Sequence, residues 1–83
     1  LNPTWAAPEV LQGAPYSASA DVYAMGILLW ELLVRAHPFH EISLELLAGH
    51  IVEGLRPFIP REIGSQPAHT AYLALVQRCW AQD

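Results

Sequence analysis

His37 and His40 stand three residues apart around Pro38, a spacing that lets two imidazoles reach one metal ion from a single turn, with His50 and Cys79 as conceivable further ligands. A stable site needs ligands that converge, however, and no second closely spaced pair exists in the sequence. Solvated loop histidines are the plainer reading, and no metal site is assigned. Cys79 as a nucleophile would need a cation or a helix N-terminus beside it to lower its pKa. It falls late in an expected helix, where the dipole acts in the opposite sense, so its expected role is buried packing. Glu9, directly after Pro8, reads as an acid in a first helical turn, and Asp21 as another at the head of a long apolar run. No residue is assigned a catalytic role by these patterns alone.

The elements that must hold these residues are helical. From Asp21 to Val34 the apolar residues fall on every side of a 3.6-residue period, which is what a central helix surrounded by protein requires. Ser17 or Ser19 can cap its start, and Arg35 lies near its opposite end. The run is shorter than the roughly 20 apolar residues of a membrane span and carries Asp21 and Glu31, so no span is expected. Before it, Pro3 makes Leu1 to Ala7 a loop, and Pro8 starts a short turn that Gly13 and Pro15 end. After it, Pro38 breaks the helix and Phe39 is expected to fold back onto the core. Leu44, Leu47, Ala48 and Ile51 predict an amphipathic helix from Ser43 to near Gly54, with Ser43 or Glu45 at its head. The segment Leu55-Arg56-Pro57-Phe58-Ile59-Pro60 predicts an extended connector, continued as loop through Gly64, Ser65 and Pro67. Thr70 is the expected cap of a third helix with Tyr72, Leu73, Leu75, Val76, Cys79 and Trp80 on its apolar face. No strand candidate survives, so the fold class is all-α.

At 83 residues the chain is at most one small domain, yet 53% of its residues are hydrophobic and only 14% charged. Such a composition resembles the inside of something larger, and a covering partner or further parts of the same chain are expected. A net charge of -4 with four basic residues argues against nucleic-acid binding. The single cysteine points to a reducing, cytoplasmic setting, which includes the intracellular part of a larger protein. A start at Leu and no basic-then-apolar leader suggest an excerpt.

Trp5-Ala6-Ala7-Pro8-Glu9, Tyr16-Ser17 and Asp21-Val22-Tyr23-Ala24-Met25-Gly26-Ile27-Leu28-Leu29-Trp30-Glu31, in this order and spacing, resemble the eukaryotic protein-kinase fold from the end of the activation segment onward. Pro38-Phe39, Leu55 to Pro60 and Arg78-Cys79-Trp80 extend the resemblance, toward the tyrosine-kinase-like group of serine/threonine kinases in particular. It implies the helical part of the C-terminal lobe, with residues 1–83 a partial kinase domain. It implies that Asn2, Pro3, Thr4 and Trp5 form the loop holding the substrate residue after the phosphorylated one. Asn2 is then placed to donate toward the catalytic Asp. Most serine/threonine members carry Thr at Asn2, Gly at Leu1 and Met at Ala6. Trp5, without a Lys or Arg before it, favours serine/threonine over tyrosine substrates. Ala7-Pro8-Glu9 would close the activation segment, with Glu9 pairing with an Arg beyond the third helix. Without that Arg, Glu9 must turn to water or be protonated. Asp21 would accept backbone N–H bonds from the catalytic loop, and Leu28 and Leu32 would found the apolar column rising toward the adenine site. Trp30, Arg56, Cys79 and Trp80 are the remaining structural motif residues, and the helix after the central one is a frequent docking surface in the family, with Leu44, Leu47 and Ile51 on its buried side.

The family's chemistry uses a Gly-rich loop, a strand Lys paired with a helix Glu, a catalytic-loop Asp and Asn, and a metal-binding Asp. None is in this sequence, which has no lysine at all. The resemblance implies ATP and Mg²⁺ for the parent kinase, none bound by this fragment, and a protein substrate and the rest of the kinase domain as partners. Three readings stand: part of an active serine/threonine kinase, part of a pseudokinase scaffold, or a stand-alone helical interaction module, the first two expected to be inert as an excerpt.

Overall fold

The computed structural model describes residues 2–81. Leu1, one of the expected departures from the family pattern, and Asp83 lie outside them. Among the described residues the regular structure is helical, with no strand: α1 Pro8–Leu11, α2 Ala18–Val34, α3 Leu44–Val52, α4 Arg61–Gly64, a 3-10 turn Pro67–His69 and α5 Thr70–Cys79.

Helix α2 is the axis of the molecule, and α5 packs along it. The two backbones come so close that a Cβ placed on Gly26 would lie 2.7 Å from Cys79 Cβ and 3.2 Å from the Val76 carbonyl oxygen. Only glycine fits that crossing. Around it Ile27, Leu47, Ile51 and Val76 are fully enclosed, with Tyr23, Trp30, Phe39 and Trp80 completing one core. Two polar groups on the seam are answered: Tyr72 donates its hydroxyl to the Leu29 carbonyl at 2.6 Å, and Trp30 Nε1 donates to the Phe58 carbonyl at 2.9 Å. The latter bond fixes the connector 55–60, which has no regular structure, across the end of α2.

The expectation that α2 is enclosed on every side is not met. Ala20, Tyr23, Gly26, Ile27 and Trp30 are buried, but Val22 and Met25 are 50% exposed, Leu28 46% and Leu32 61%. The described residues supply one layer against α2, and its other side has no neighbour to cover it.

Helix ends also depart from expectation. Helix α2 starts at Ala18, three residues before Asp21. Ser17 takes the N-cap position with extended backbone, but no hydroxyl caps a free N–H; the Ser17 carbonyl accepts from Ala20 N–H at 3.0 Å. Ser43 likewise precedes α3 without a side-chain bond. Thr70 is already helical, because the 3-10 turn ending at His69 feeds straight into α5 and leaves no extended residue for a cap. The stretch after Pro60 is not the loop expected. Pro60 takes the N-cap position of α4, and Pro67, with φ preset near the helical value, is the first residue of the 3-10 turn. At the C-terminal end of α2, Arg35 adopts the left-handed conformation, φ 63°, and its N–H donates to the Glu31 carbonyl at 2.8 Å. Phe39, also at positive φ, folds back and is buried, as the sequence predicts.

Candidate substrate-side loop and its supports

Asn2 to Ala6 form a compact turn immediately before α1. Asn2 Oδ1 accepts from the Thr4 N–H at 2.9 Å and from the Thr4 hydroxyl at 2.7 Å, so Thr4, 1% exposed, is satisfied by its neighbour two residues back. Ala6 N–H closes on the Pro3 carbonyl at 3.3 Å. Trp5 Nε1 reaches across to α2 and donates to Glu31 Oε1 at 2.6 Å, while the His37 ring meets the indole edge-on, 6.0 Å between centroids at 70°. Asn2 is exposed, and its side-chain nitrogen has no hydrogen-bond partner among the described residues.

Ala7 and Pro8 are buried, Pro8 as first residue of α1, and Glu9 follows half-buried. Glu9 lines an open cleft of about 470 Å³ with Gln12, Ser17, Tyr23, Arg78 and Cys79. Among the described residues it forms no ion pair. The Tyr23 hydroxyl on the same cleft is buried with no hydrogen-bond partner among the described residues. Burial pushes its pKa up, the nearby Arg56 guanidinium opposes this, and Glu9 adds to it. Asp21 is exposed on the first turn of α2, and hydrogen bonding to its carboxylate raises the pKa of the exposed Tyr16.

Arg56 binds three carbonyl oxygens: its Nε donates to Trp80 at 2.7 Å, and one terminal nitrogen donates to Leu55 at 2.7 Å and Ile51 at 3.2 Å. Its guanidinium lies 5.1 Å from the centre of the Tyr23 ring. Arg56 and Trp80 are therefore one joint, clamping the ends of α3 and α5 to the side of α2. Cys79 is half-buried against Gly26. Leu28 and Leu32, four residues apart on one face of α2, are both on its uncovered side.

The histidines do not come together with Cys79. His37 and His40 are exposed, with Nδ1 of the one at 3.0 Å from the Pro38 carbonyl oxygen and Nδ1 of the other at 3.2 Å from the His37 carbonyl oxygen. Among the described residues no three His, Cys, Asp or Glu side chains are grouped so as to hold a metal ion. Two residues that matter here were not singled out from the sequence, Glu31 and Tyr23. The signal available for Glu31 is a carboxylate in the apolar C-terminal half of the helix together with a Trp whose one N–H needs an acceptor.

Comparison with known proteins covers the whole chain. Cyclic GMP-binding protein C of Dictyostelium discoideum is 44% identical over 99% of this chain and 3% of its own length. Probable serine/threonine-protein kinase roco5 of the same organism is 39% identical over 99% of this chain and 3% of its own. Serine/threonine-protein kinase STY17 of Arabidopsis thaliana is 40% identical over 95% of this chain and 13% of its own. The chain thus spans only 3% to 13% of the length of these relatives. The sequence pattern of the family described as protein tyrosine and serine/threonine kinase matches residues 1–83, and with an all-helical structure that fits the C-terminal lobe, the chain belongs to the protein kinase family.

Proposed function

We propose that residues 1–83 are part of a kinase domain in an ATP-dependent enzyme that phosphorylates serine and threonine of protein substrates. In this reading Asn2 to Trp5 receive the peptide beside the acceptor residue, and Ala7-Pro8-Glu9 close the activation segment. Asp21 ties the catalytic loop to α2, and Leu28 and Leu32 carry the core upward. The observation that carries the reading is the loop itself: a turn braced by Asn2 and Thr4 and anchored by Trp5, set directly before the buried Ala7-Pro8 and on top of α2. A peptide-binding edge that is rigid before binding loses less entropy on complex formation. The relatives named as serine/threonine kinases, and Thr4 rather than a cation before Trp5, favour hydroxyl acceptors of that type over tyrosine.

The uncovered stripe of Val22, Met25, Leu28 and Leu32 supports a partner surface from the rest of such a domain. ATP and Mg²⁺ are proposed for the kinase as a whole. The residues of this segment do not fit them: it has no lysine, and its described acids and histidines do not group around a metal ion. No step of the transfer is therefore assigned through either. No helix among the described residues is long and apolar enough to cross a membrane. The single cysteine supports a reducing, cytoplasmic setting for the proposed kinase.

The test is a phosphate-transfer assay on a mixed Ser, Thr and Tyr peptide library with the protein of the complete reading frame and with the 83-residue chain. The complete protein is expected to label Ser and Thr peptides and the short chain none. Labelling confined to Tyr, or transfer by the short chain, overturns the reading. A complete protein that transfers nothing leaves the pseudokinase scaffold.

A further inference from the structure

One hydrogen bond, spanning 26 residues of sequence, joins the Trp5 indole to the core helix: Trp5 Nε1 to Glu31 Oε1 at 2.6 Å. Glu31 is unusual for its place. It is a half-buried carboxylate in the last turn of an otherwise apolar stretch, between Trp30 and Leu32. Among the described residues no cation forms an ion pair with it. A carboxylate in that position loses hydration, and the indole N–H is the group that repays part of it.

The indole has a single donor and no acceptor, so one partner fixes where the ring points. An N–H to carboxylate bond is stronger than a neutral one and more directional. The His37 edge contact holds the same ring from the residues that follow α2. With Thr4 already locked by Asn2, the placement of the indole decides the path of the whole turn.

We propose that Glu31 is a positioning residue for the protein substrate: through the Trp5 indole it holds the Asn2 to Trp5 loop in the shape that receives the peptide. The proposal rests on the kinase reading above and adds to it a residue outside the loop. Glu31 acts through Trp5, so its effect falls on peptide binding and leaves the nucleotide side alone. The accepting oxygen sets the direction of the indole and the charge adds strength, so glutamine, with the same oxygen and no charge, keeps most of the positioning.

The experiment compares Glu31→Gln, Glu31→Leu, Trp5→Phe and the double variant Glu31→Leu/Trp5→Phe in the complete protein. Peptide KM is expected to rise about tenfold in Glu31→Leu and in Trp5→Phe, the loss of one charge-assisted hydrogen bond, with KM for ATP unchanged. Glu31→Gln should stay within about threefold of the parent, and the double variant should be no worse than the poorer single one. Unchanged peptide KM in all variants, glutamine as damaging as leucine, or additive losses each overturn it. Trp5→Phe keeps the ring in its pocket, so it decides the matter if Glu31→Leu fails to fold. If the complete protein transfers no phosphate, the kinase reading fails separately, and amide exchange of residues 4–6 takes over. Exchange faster in Trp5→Phe and Glu31→Leu but not in Glu31→Gln upholds the positioning role, and equal exchange in all overturns it.

Discussion

Along α2, the side toward α5 and the side bearing Val22, Met25, Leu28 and Leu32 are equally apolar, yet only the first is covered. They differ in the residues that let backbone approach backbone. The covered side has Gly26 at the crossing and, close by, donors that find carbonyls: Trp30 to Phe58, Tyr72 to Leu29 and Arg56 to Trp80. The uncovered side has branched and long chains, with the exposed carboxylate of Asp21 at its head and no glycine among them. Hydrophobicity alone therefore does not say what a helix face meets. The small residue and the paired donor mark the seam the chain makes with itself, whereas a stripe without them needs another surface.

The comparison breaks most visibly on the covered side. Ile27 is fully enclosed, and Ile27→Ala is expected to cost about 3 kcal/mol, the lost transfer energy plus the cavity left behind. Urea unfolding of the 83-residue chain followed by helix circular dichroism measures it. Gly26→Ala comes next, at about 2 kcal/mol. Alanine is the better helix former by about 1 kcal/mol, but its Cβ meets Cys79 Cβ at 2.7 Å and backbone at 3.2 Å, so α5 must move away. Adding Cys79→Ala should not restore stability, since the clash is with Cβ rather than sulfur. Adding Cys79→Gly should restore part of it.

How much of this was legible follows from which forces are local. Helix α3 and the start of α1 are readable because the spacing of Leu47 and Ile51, and Pro8 before Glu9, act within a turn or two, but Leu44, expected on the buried side, stands 59% exposed at the first residue of α3. Helix α4 was missed because Pro60 and Pro67 punctuate a loop as readily as they open a turn, and sequence alone does not choose between the two. The side-chain caps expected at Ser17 and Ser43 do not form, since a serine at the right position does not have to turn its hydroxyl inward when water can satisfy the N–H, and Thr70 is already inside α5 because the 3-10 turn runs into it. For the candidate loop, the turn around Pro3 was legible, but its tie to Glu31 was not. A contact 26 residues away is set by how the loop before α1 lies against α2, and no periodicity records that.

A smaller effect sharpens the contrast at the edge of the seam, where Tyr23 packs its ring under Arg56 but leaves its hydroxyl unanswered among the described residues. Tyr23→Phe should raise the stability of the 83-residue chain by about 1 kcal/mol, because a buried group without a partner is removed while the ring stays. The pH dependence has a definite sign. Burial lifts the folded-state pKa of Tyr23 above its ordinary value of 10.0, so the unfolded chain gives up the proton first as the solution becomes alkaline. Stability linked to Tyr23 is complete below pH 10 and falls as pH climbs from there toward the folded pKa. Melting temperature measured from pH 9 upward should drop less steeply in Tyr23→Phe than in the parent. Equal slopes would mean that the hydroxyl is not held protonated by the fold.

The smallest effect belongs to the uncovered side, and its smallness is the point. Leu28 and Leu32 are 46% and 61% exposed, so Leu28→Ser and Leu32→Ser remove little buried area from this chain. Each should change its stability by under about 0.5 kcal/mol, the usual range for surface sites. The same leucines are proposed to sit inside a complete kinase domain, where truncating a covered leucine costs about 2 to 5 kcal/mol. Measuring both substitutions in the short chain and in the complete protein therefore reads the covering of α2 directly. A large loss only in the complete protein places the rest of the domain on this stripe. Small losses in both would leave the stripe bare there as well, and α2 would be a surface helix rather than the axis of a lobe.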